Sequence, residues 1–461
     1  MIGSQGKQLE KRKIIILGLG YVGLTMAACL VTRGFKTIGV DMDSEKVAAL
    51  SAKNCPIQEP GLKELIAEGL ATGALELTQD LGEAAEGSQI TFVSVGTPSE
   101  PSGSINLEQI RSASESVGAA LKKIDGYHLL VVRSTVTPGT TGQMVRRIIE
   151  RRSGRSCGED FGLCANPEFM KEGAAVQDML KPDRIVIGEY DAKSGNTLEG
   201  FYREMYSDSM PALIRTSLAN AELIKYSNNA FLATKISFMN SIANLCERIP
   251  ESDVDVVAKG IGLDPRIGPL FLRAGLGWGG SCLPKDSKAF LAFGRSLGVD
   301  LPIVHAALEI NEIQPLSALD KARKALGGLR GKRIAVLGLS FKPETDDVRE
   351  AISIRIIDEL LREASEISVY DPAVTETTRR NLSGRVDFAA SAEECIDGAD
   401  CCIIATEWDE FKRLRAEDFK RRMRRPVIID GRRIYNPREF EANTEYYGVG
   451  LGRTDGGDLG A

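Results

Sequence analysis

One of the nine cysteines in this 461-residue chain stands directly after a run of glycines, in Gly275-Leu276-Gly277-Trp278-Gly279-Gly280-Ser281-Cys282-Leu283-Pro284-Lys285-Asp286. Glycines let backbone approach a ligand and take positive φ where other residues cannot. If Ser281 caps a helix, Cys282 falls in the first turn, where unpaired N–H groups and the positive end of the macrodipole favour a thiolate. Pro284 suits that turn, and Asp286 lies one turn past Cys282 on the same face. This is a setting for covalent catalysis by sulfur. The same residues also fit a tight turn before a core helix, its cysteine a small hydrophobe.

Other reactive side chains are few. The chain has two histidines, His128 and His305, and both sit in apolar runs that read as packed. Acid and base work therefore falls to carboxylates, Lys, Cys or water. The cysteines form no C-x-x-C pair and no cluster at zinc spacing, which points to reduced thiols and no metal. Glu168 and Glu172 lie four apart in Ala165-Asn166-Pro167-Glu168-Phe169-Met170-Lys171-Glu172-Gly173 and read, taken alone, as the solvated start of a helix. Glu222, Lys225, Asn229 and Asn240 interrupt the apolar surface of a long helix expected from about Ser217 to Arg248, with Lys225 and Asn229 one turn apart on a shared face. Such a helix would be a spine between domains and a natural dimer surface.

The elements that must hold these groups are legible. Lys13-Ile14-Ile15-Ile16-Leu17 reads as a buried parallel strand, followed by Gly18-Leu19-Gly20-Tyr21-Val22-Gly23 opening a helix. A second strand ends in Asp41, about where a ribose-binding acid belongs. A carboxylate there would repel a 2′-phosphate, so NAD is expected rather than NADP. Further strands run into the small-residue loops Gly96-Thr97-Pro98 and Ser134-Thr135-Val136-Thr137-Pro138-Gly139, at the strand ends where a doubly wound sheet binds ligands. The pattern then repeats: Lys332 to Ser340 resembles Arg12 to Gly20, Asp371 parallels Asp41, and Asp400 to Thr406 parallels Gln89 to Gly96. A second α/β domain follows from this. Its fingerprint is broken by Ser340 and Phe341-Lys342-Pro343, which implies a different ligand, with Lys342 available for a phosphate.

Length implies about three domains. A net charge of −6 argues against nucleic acid, and 43% hydrophobic with 26% charged residues is ordinary for a soluble protein. No apolar run reaches membrane length and the polar start lacks a signal core, so a cytoplasmic protein is expected. The tail from about Gly452 reads as disordered.

Taken together, these motifs resemble the nucleotide-sugar 6-dehydrogenase family: GLGYVG at Gly18, VGTP at Val95, STVTPGTT at Ser134, NPEFMKEG at Asn166, KPDRIVIG at Lys181, KYSNNAFLATKISF at Lys225, GGSCLPKD at Gly279, GLSFKPETDDVRE at Gly338 and DGRR at Asp430, in the family's order. The resemblance implies an α/β chain of two Rossmann-like doubly wound domains joined by a long central helix and a small all-helical middle domain. The NAD-binding domain would span 1–210, a helical dimerisation domain carrying the cysteine loop 211–315, and a domain binding the UDP sugar 316–461. It implies NAD as cofactor, a homodimer, and two successive oxidations of a sugar C6 alcohol, with the aldehyde captured on sulfur and released from a thioester by water.

By that resemblance Cys282 is the nucleophile and Lys225 and Asn229 stabilise the oxyanion at C6. Asp286, Glu168 and Thr135 order and activate water, with Glu172 a lesser member. The cofactor would be held by Gly18, Gly20, Tyr21, Val22, Gly23, Asp41, Gly96, Thr97, Pro98, Thr135, Glu172, Lys285 and Arg349. The nucleotide sugar would meet Glu168, Phe169, Lys225, Asn229, Arg266, Arg273, Gly279, Lys342 and Arg432, with Arg266 reaching across the dimer. Relatives acting on N-acetylated sugars usually carry histidine before the cysteine; Ser281 here favours UDP-glucose or GDP-mannose. The rival readings are a two-electron dehydrogenase of the hydroxyacid type, which needs no Cys282, and a non-enzymatic redox sensor built on the same scaffold.

Overall fold

The computed structural model describes residues 12–363 and 365–452. The polar N-terminal start up to Lys11 and the tail beyond Gly452 lie outside the described residues. The chain forms two compact units, one ending at Ser227 and the other starting at Asn228.

The first unit is built on β1 (Lys13–Leu17), β2 (Lys36–Val40), β3 (Leu75–Thr78), β4 (Ile90–Val93), β5 (His128–Val132), β6 (Phe161–Ala165), β7 (Arg184–Glu189) and β8 (Ala212–Ser217), in the order β3-β2-β1-β4-β5-β6-β7-β8. β1 to β6 are parallel; β7 pairs antiparallel with β6, and β8 follows β7 in parallel. Helices cover both faces, which is why the inner strands are continuous apolar runs rather than alternating ones. Ile14, Ile16, Leu24, Phe92, Val131 and Phe201 form part of the core. His128 is buried at the start of β5 as expected, its ring bonded to Thr91 and to the Ser88 carbonyl.

The long helix runs Leu218–Cys246, close to its expected bounds. In the second unit it is followed by helices Val254–Gly262, Leu283–Ser296, Pro302–Ile313 and Leu316–Leu326. Then comes a sheet of β9 (Arg333–Leu337), β10 (Glu366–Tyr370), β11 (Asp387–Phe388), β12 (Cys401–Ile404), β13 (Val427–Asp430) and β14 (Glu445–Gly448), ordered β11-β10-β9-β12-β13-β14 and parallel throughout. That is the order of β1 to β6 repeated, so the internal repeat read from the sequence is a repeat of topology, the doubly wound arrangement with its switch point beside the first strand.

Three local expectations need correction. Ser281 does not cap a helix: the first intrahelical bond closes from the Asp286 N–H to the Cys282 carbonyl at 2.9 Å, making Cys282 itself the N-cap of Leu283–Ser296. The segment 166–173 is a loop rather than a helix start; the helix begins at Ala175. His305 is not packed but half-exposed, 3.5 Å from Glu309 on Pro302–Ile313, because the run reads out as a helix that leaves Ile303 exposed as well.

Candidate active site

The turn after β1 has the form a dinucleotide needs. Gly18 has φ +96°, and a Cβ there would lie 2.8 Å from the Val95 amide nitrogen. A Cβ on Gly20 would meet nothing within 4 Å, so this side of the turn is open. A Cβ on Gly23 would fall 1.9 Å from the Gly18 carbonyl oxygen, so helix and turn touch there. Helix Tyr21–Thr32 begins at Gly20 with no side-chain cap, leaving first-turn N–H groups for a phosphate. Asp41 accepts from the Leu19 N–H at 2.8 Å, from the Asp43 N–H at 3.0 Å and from Lys46 Nζ at 2.9 Å. Burial works against its charge, but these donors, Lys46 first, hold the carboxyl below its ordinary value. The residues present fit NAD.

The loops after β4 and β5 are tied together: Thr97 Oγ1 donates to the Thr135 carbonyl at 3.0 Å, and Ser134 Oγ to that of Val95 at 2.7 Å. The Gly96 N–H donates to Gln109 Oε1 at 3.0 Å, and the Pro98 carbonyl accepts from the Asn106 N–H at 2.8 Å. Glu222, from the first turns of the long helix, accepts the Gly139 and Thr141 N–H groups at 2.6 and 2.8 Å. Three residues on, Lys225 donates to Glu168 twice, to Oε1 at 2.8 Å and to its carbonyl at 2.7 Å, both side chains buried. Burial would push the Glu168 carboxyl up; the Lys225 ammonium outweighs it and holds the carboxyl below its ordinary value. Phe169 carries the Arg184 guanidinium 3.8 Å from its ring centre. Glu172 is half-buried at the end of this loop.

In the second unit Cys282 is exposed, while seven of the other cysteines are buried and Cys55 is intermediate. One turn on, Asp286 is 1% exposed; its Oδ2 accepts from Asn229 Nδ2 at 2.7 Å and its Oδ1 from Lys285 Nζ at 2.5 Å. The glycine run is threaded through fixed partners. Gly275 donates to Asn240 Oδ1 and accepts from Gln314, and Trp278 exchanges two bonds with Asn311. A Cβ at Gly279 would stand 2.2 Å from the Glu350 carbonyl, and Gly280, at φ +86°, donates to the Arg349 carbonyl at 3.1 Å. Arg432 reaches the Gly277 carbonyl at 3.4 Å, and Arg273 donates to the Arg432 carbonyl at 2.5 Å.

The remaining expected residues are less engaged. Arg266 is exposed and forks onto Asp264 at 2.6 Å; Arg349 is exposed and forks onto Asp347. Lys342 lies 5.4 Å from the Phe341 ring centre. Asp371, the counterpart of Asp41, is buried and occupied by its own turn, accepting from the Leu339 N–H, the Ser340 N–H and Ser340 Oγ at 2.7 to 2.9 Å. Asp371 differs from Asp41 in lying 2% exposed and in being held by the Ser340 hydroxyl of its own turn rather than by a lysine. Lys46 and Glu59 carry no expectation from the sequence, and Glu222 only that of a polar break in the long helix. Lys46 had a signal, an i+5 cation after the strand-end acid; the partners of the other two lie far away in sequence and had none.

A doubly wound sheet with three glycines of this geometry in its first turn and an acid directly after its second strand defines a protein that binds NAD. The chain belongs to the UDP-glucose/GDP-mannose dehydrogenase family: residues 12–206 match its NAD binding domain, 219–313 its central domain and 335–437 its UDP binding domain. It is 42% identical to the UDP-glucose 6-dehydrogenase AglM of Haloferax volcanii over 93% of this chain and 98% of that one, and 38% identical to TuaD of Bacillus subtilis, also a UDP-glucose 6-dehydrogenase, over 94% and 91%. Among solved structures it resembles a UDP-glucose dehydrogenase from Pyrobaculum islandicum, with a TM-score of 0.89 and 37% identity over 97% of this chain and all of that one.

Proposed function

We propose that this protein is an NAD-dependent UDP-glucose 6-dehydrogenase of the cytoplasm, converting UDP-glucose, two NAD and one water to UDP-glucuronate and two NADH. The observation that carries the reading is Cys282, the one exposed thiol among the described residues, placed at a helix start one turn before a buried acid. Ser281 before it favours a sugar without an N-acetyl group.

NAD, held by the Gly18–Gly23 turn and Asp41, supplies the hydride acceptor for both oxidations. The chain's own groups do the rest. As the C6 alcohol becomes an aldehyde, Lys225 and Asn229 stabilise the charge on its oxygen. The helix terminus favours an ionised Cys282, whose sulfur adds to the aldehyde carbon to give a thiohemiacetal. Loss of hydride from that carbon leaves a thioester. Asp286, Glu168 and Thr135 hold and activate the water that cleaves it, returning the thiol and freeing the carboxylate. Arg273, Arg432 and Lys342 meet the nucleotide's phosphates and uridine, and Arg349 the cofactor's nicotinamide end.

The protein acts as a homodimer through the central segment. Phe231, Phe238 and Leu245, two helical turns apart each time on one face of the long helix, are 64%, 53% and 54% exposed, and Val256, Leu263 and Leu270 are exposed nearby in sequence. An apolar stripe of this extent supports a covering partner. Arg266, exposed in the same segment, would serve the partner's sugar site.

Purified protein given NAD and, separately, UDP-glucose, GDP-mannose and their N-acetylated counterparts tests the reading. Two NADH per UDP-glucose is the expected result. One NADH per sugar, or a preference for another sugar, overturns it.

A further inference from the structure

Glu59 lies in the loop before helix Leu62–Thr72 and is 7% exposed, yet no Lys or Arg pairs with it among the described residues. Its carboxylate is satisfied by donors from two separate places. Oε2 accepts the Tyr21 hydroxyl and the Gly173 N–H, the latter at 2.7 Å, and Oε1 accepts the Val176 N–H at 3.3 Å. The Gly173 N–H also reaches the Tyr21 oxygen at 2.9 Å. Tyr21 is the first residue of the helix that follows the open Gly20 turn. Gly173, at φ +77°, ends the loop that begins after β6 and carries Glu168 and Glu172. Burial first, and then the Glu59 charge, push the phenol up, so Tyr21 stays protonated and donates. Glu59 is thus a clasp between the cofactor turn and the loop of the buried Glu168.

We propose that Glu59 is a positioning residue that couples occupation of the dinucleotide turn to the placement of the 166–173 loop; this rests on the proposed function for its consequence in turnover, but not for the coupling itself. A charged acceptor shared by three donors fixes the distance between the two segments, because an amide or a shorter acid in its place leaves at least one donor unpaired or opposed. A dinucleotide that orders the first turn of helix Tyr21–Thr32 would therefore order Gly173 to Val176 through Tyr21 and Glu59.

The test is amide hydrogen exchange on the full-length protein with and without NAD alone. In the wild type NAD should slow exchange both in 19–26 and in 170–177. In Glu59→Gln the first effect should remain and the second should be lost, with the NAD dissociation constant raised about tenfold and kcat lowered by at least as much. Equal NAD-induced protection of 170–177 in wild type and variant overturns the proposal. If Glu59→Gln fails to fold, Tyr21→Phe read by the same exchange experiment decides, since it opens the clasp from the other side. Because the readout needs no sugar, a failure of the UDP-glucose assignment leaves this result interpretable.

Discussion

Lys225 Nζ lies 2.8 Å from Glu168 Oε1, and the two side chains are only 5% and 8% exposed. The lysine comes from the long helix and the acid from a loop 57 residues earlier. A buried pair of this kind is weak evidence for stability, since desolvating two charges offsets most of their attraction. Under the proposed function the pair has a chemical use, Lys225 standing ready for a substrate oxygen that develops charge.

Replacing Lys225 by Met should leave the Glu168 carboxylate buried without its partner, destabilising the protein by about 3–5 kcal/mol. Removing both, Lys225→Met with Glu168→Gln, should restore much of that loss. Activity should not return in the double variant, with kcat down by about a hundredfold to a thousandfold or more. Urea denaturation and NADH production measure the two effects separately, and recovery of turnover along with stability would contradict a catalytic role.

The same pair sets a pH dependence. The Glu168 carboxyl titrates lower in the folded protein than in the unfolded chain, where its pKa is about 4.3. Its contribution to stability is therefore present above that unfolded value and is lost as pH falls through the lower folded one. Denaturation midpoints followed from pH 7 down to pH 3 should fall more steeply for the wild type than for Glu168→Gln. Parallel curves would show that the pair is not coupled to folding.

Cys282 should be the thiol that alkylating agents find. Burial pushes Cys29, Cys157 and Cys395 up to about 12, and Cys55 is also raised by partial burial. Brief iodoacetamide treatment of the native protein should add one label, at Cys282, and abolish turnover; intact mass and peptide mapping read it. Cys282→Ser should bind NAD normally, take no rapid label and fail to give two NADH per sugar. Normal stoichiometry from that variant would remove sulfur from the mechanism.

What the sequence disclosed and what it withheld divide along sequence separation. The Gly18–Gly23 turn, Asp41, the repeated strand pattern and the long helix are local signals, and each appears where its spacing predicts it. Glu168 read alone as a solvated helix start because its partner Lys225 is far away in sequence; only tertiary packing turns that loop inward. Glu59 was invisible for the same reason, and Glu222 was legible only as a polar break in the long helix, since both bond to backbone N–H groups, which carry no residue-type signature. Ser281 failed as a cap because nothing local says which carbonyl, its own or that of Cys282, closes the first helical bond.

The glycines of the first turn offer the sharpest separation of binding from folding. A Cβ at Gly20 meets nothing within 4 Å, and its φ of −75° is ordinary, so Gly20→Ala should fold with an unchanged melting temperature. It should nevertheless bind NAD more weakly, because the methyl group occupies the open side of the turn where a pyrophosphate must approach the backbone. Gly23→Ala should behave in the opposite way. Its Cβ would stand 1.9 Å from the Gly18 carbonyl oxygen, which is backbone and cannot rotate aside, so helix and strand must separate. A loss of about 1–3 kcal/mol is expected from overpacking, with NAD affinity falling as a consequence of the displaced turn. Thermal melts and NAD titrations on the two variants check this. If Gly20→Ala bound NAD as tightly as the wild type, the cofactor would have to lie elsewhere than on this turn.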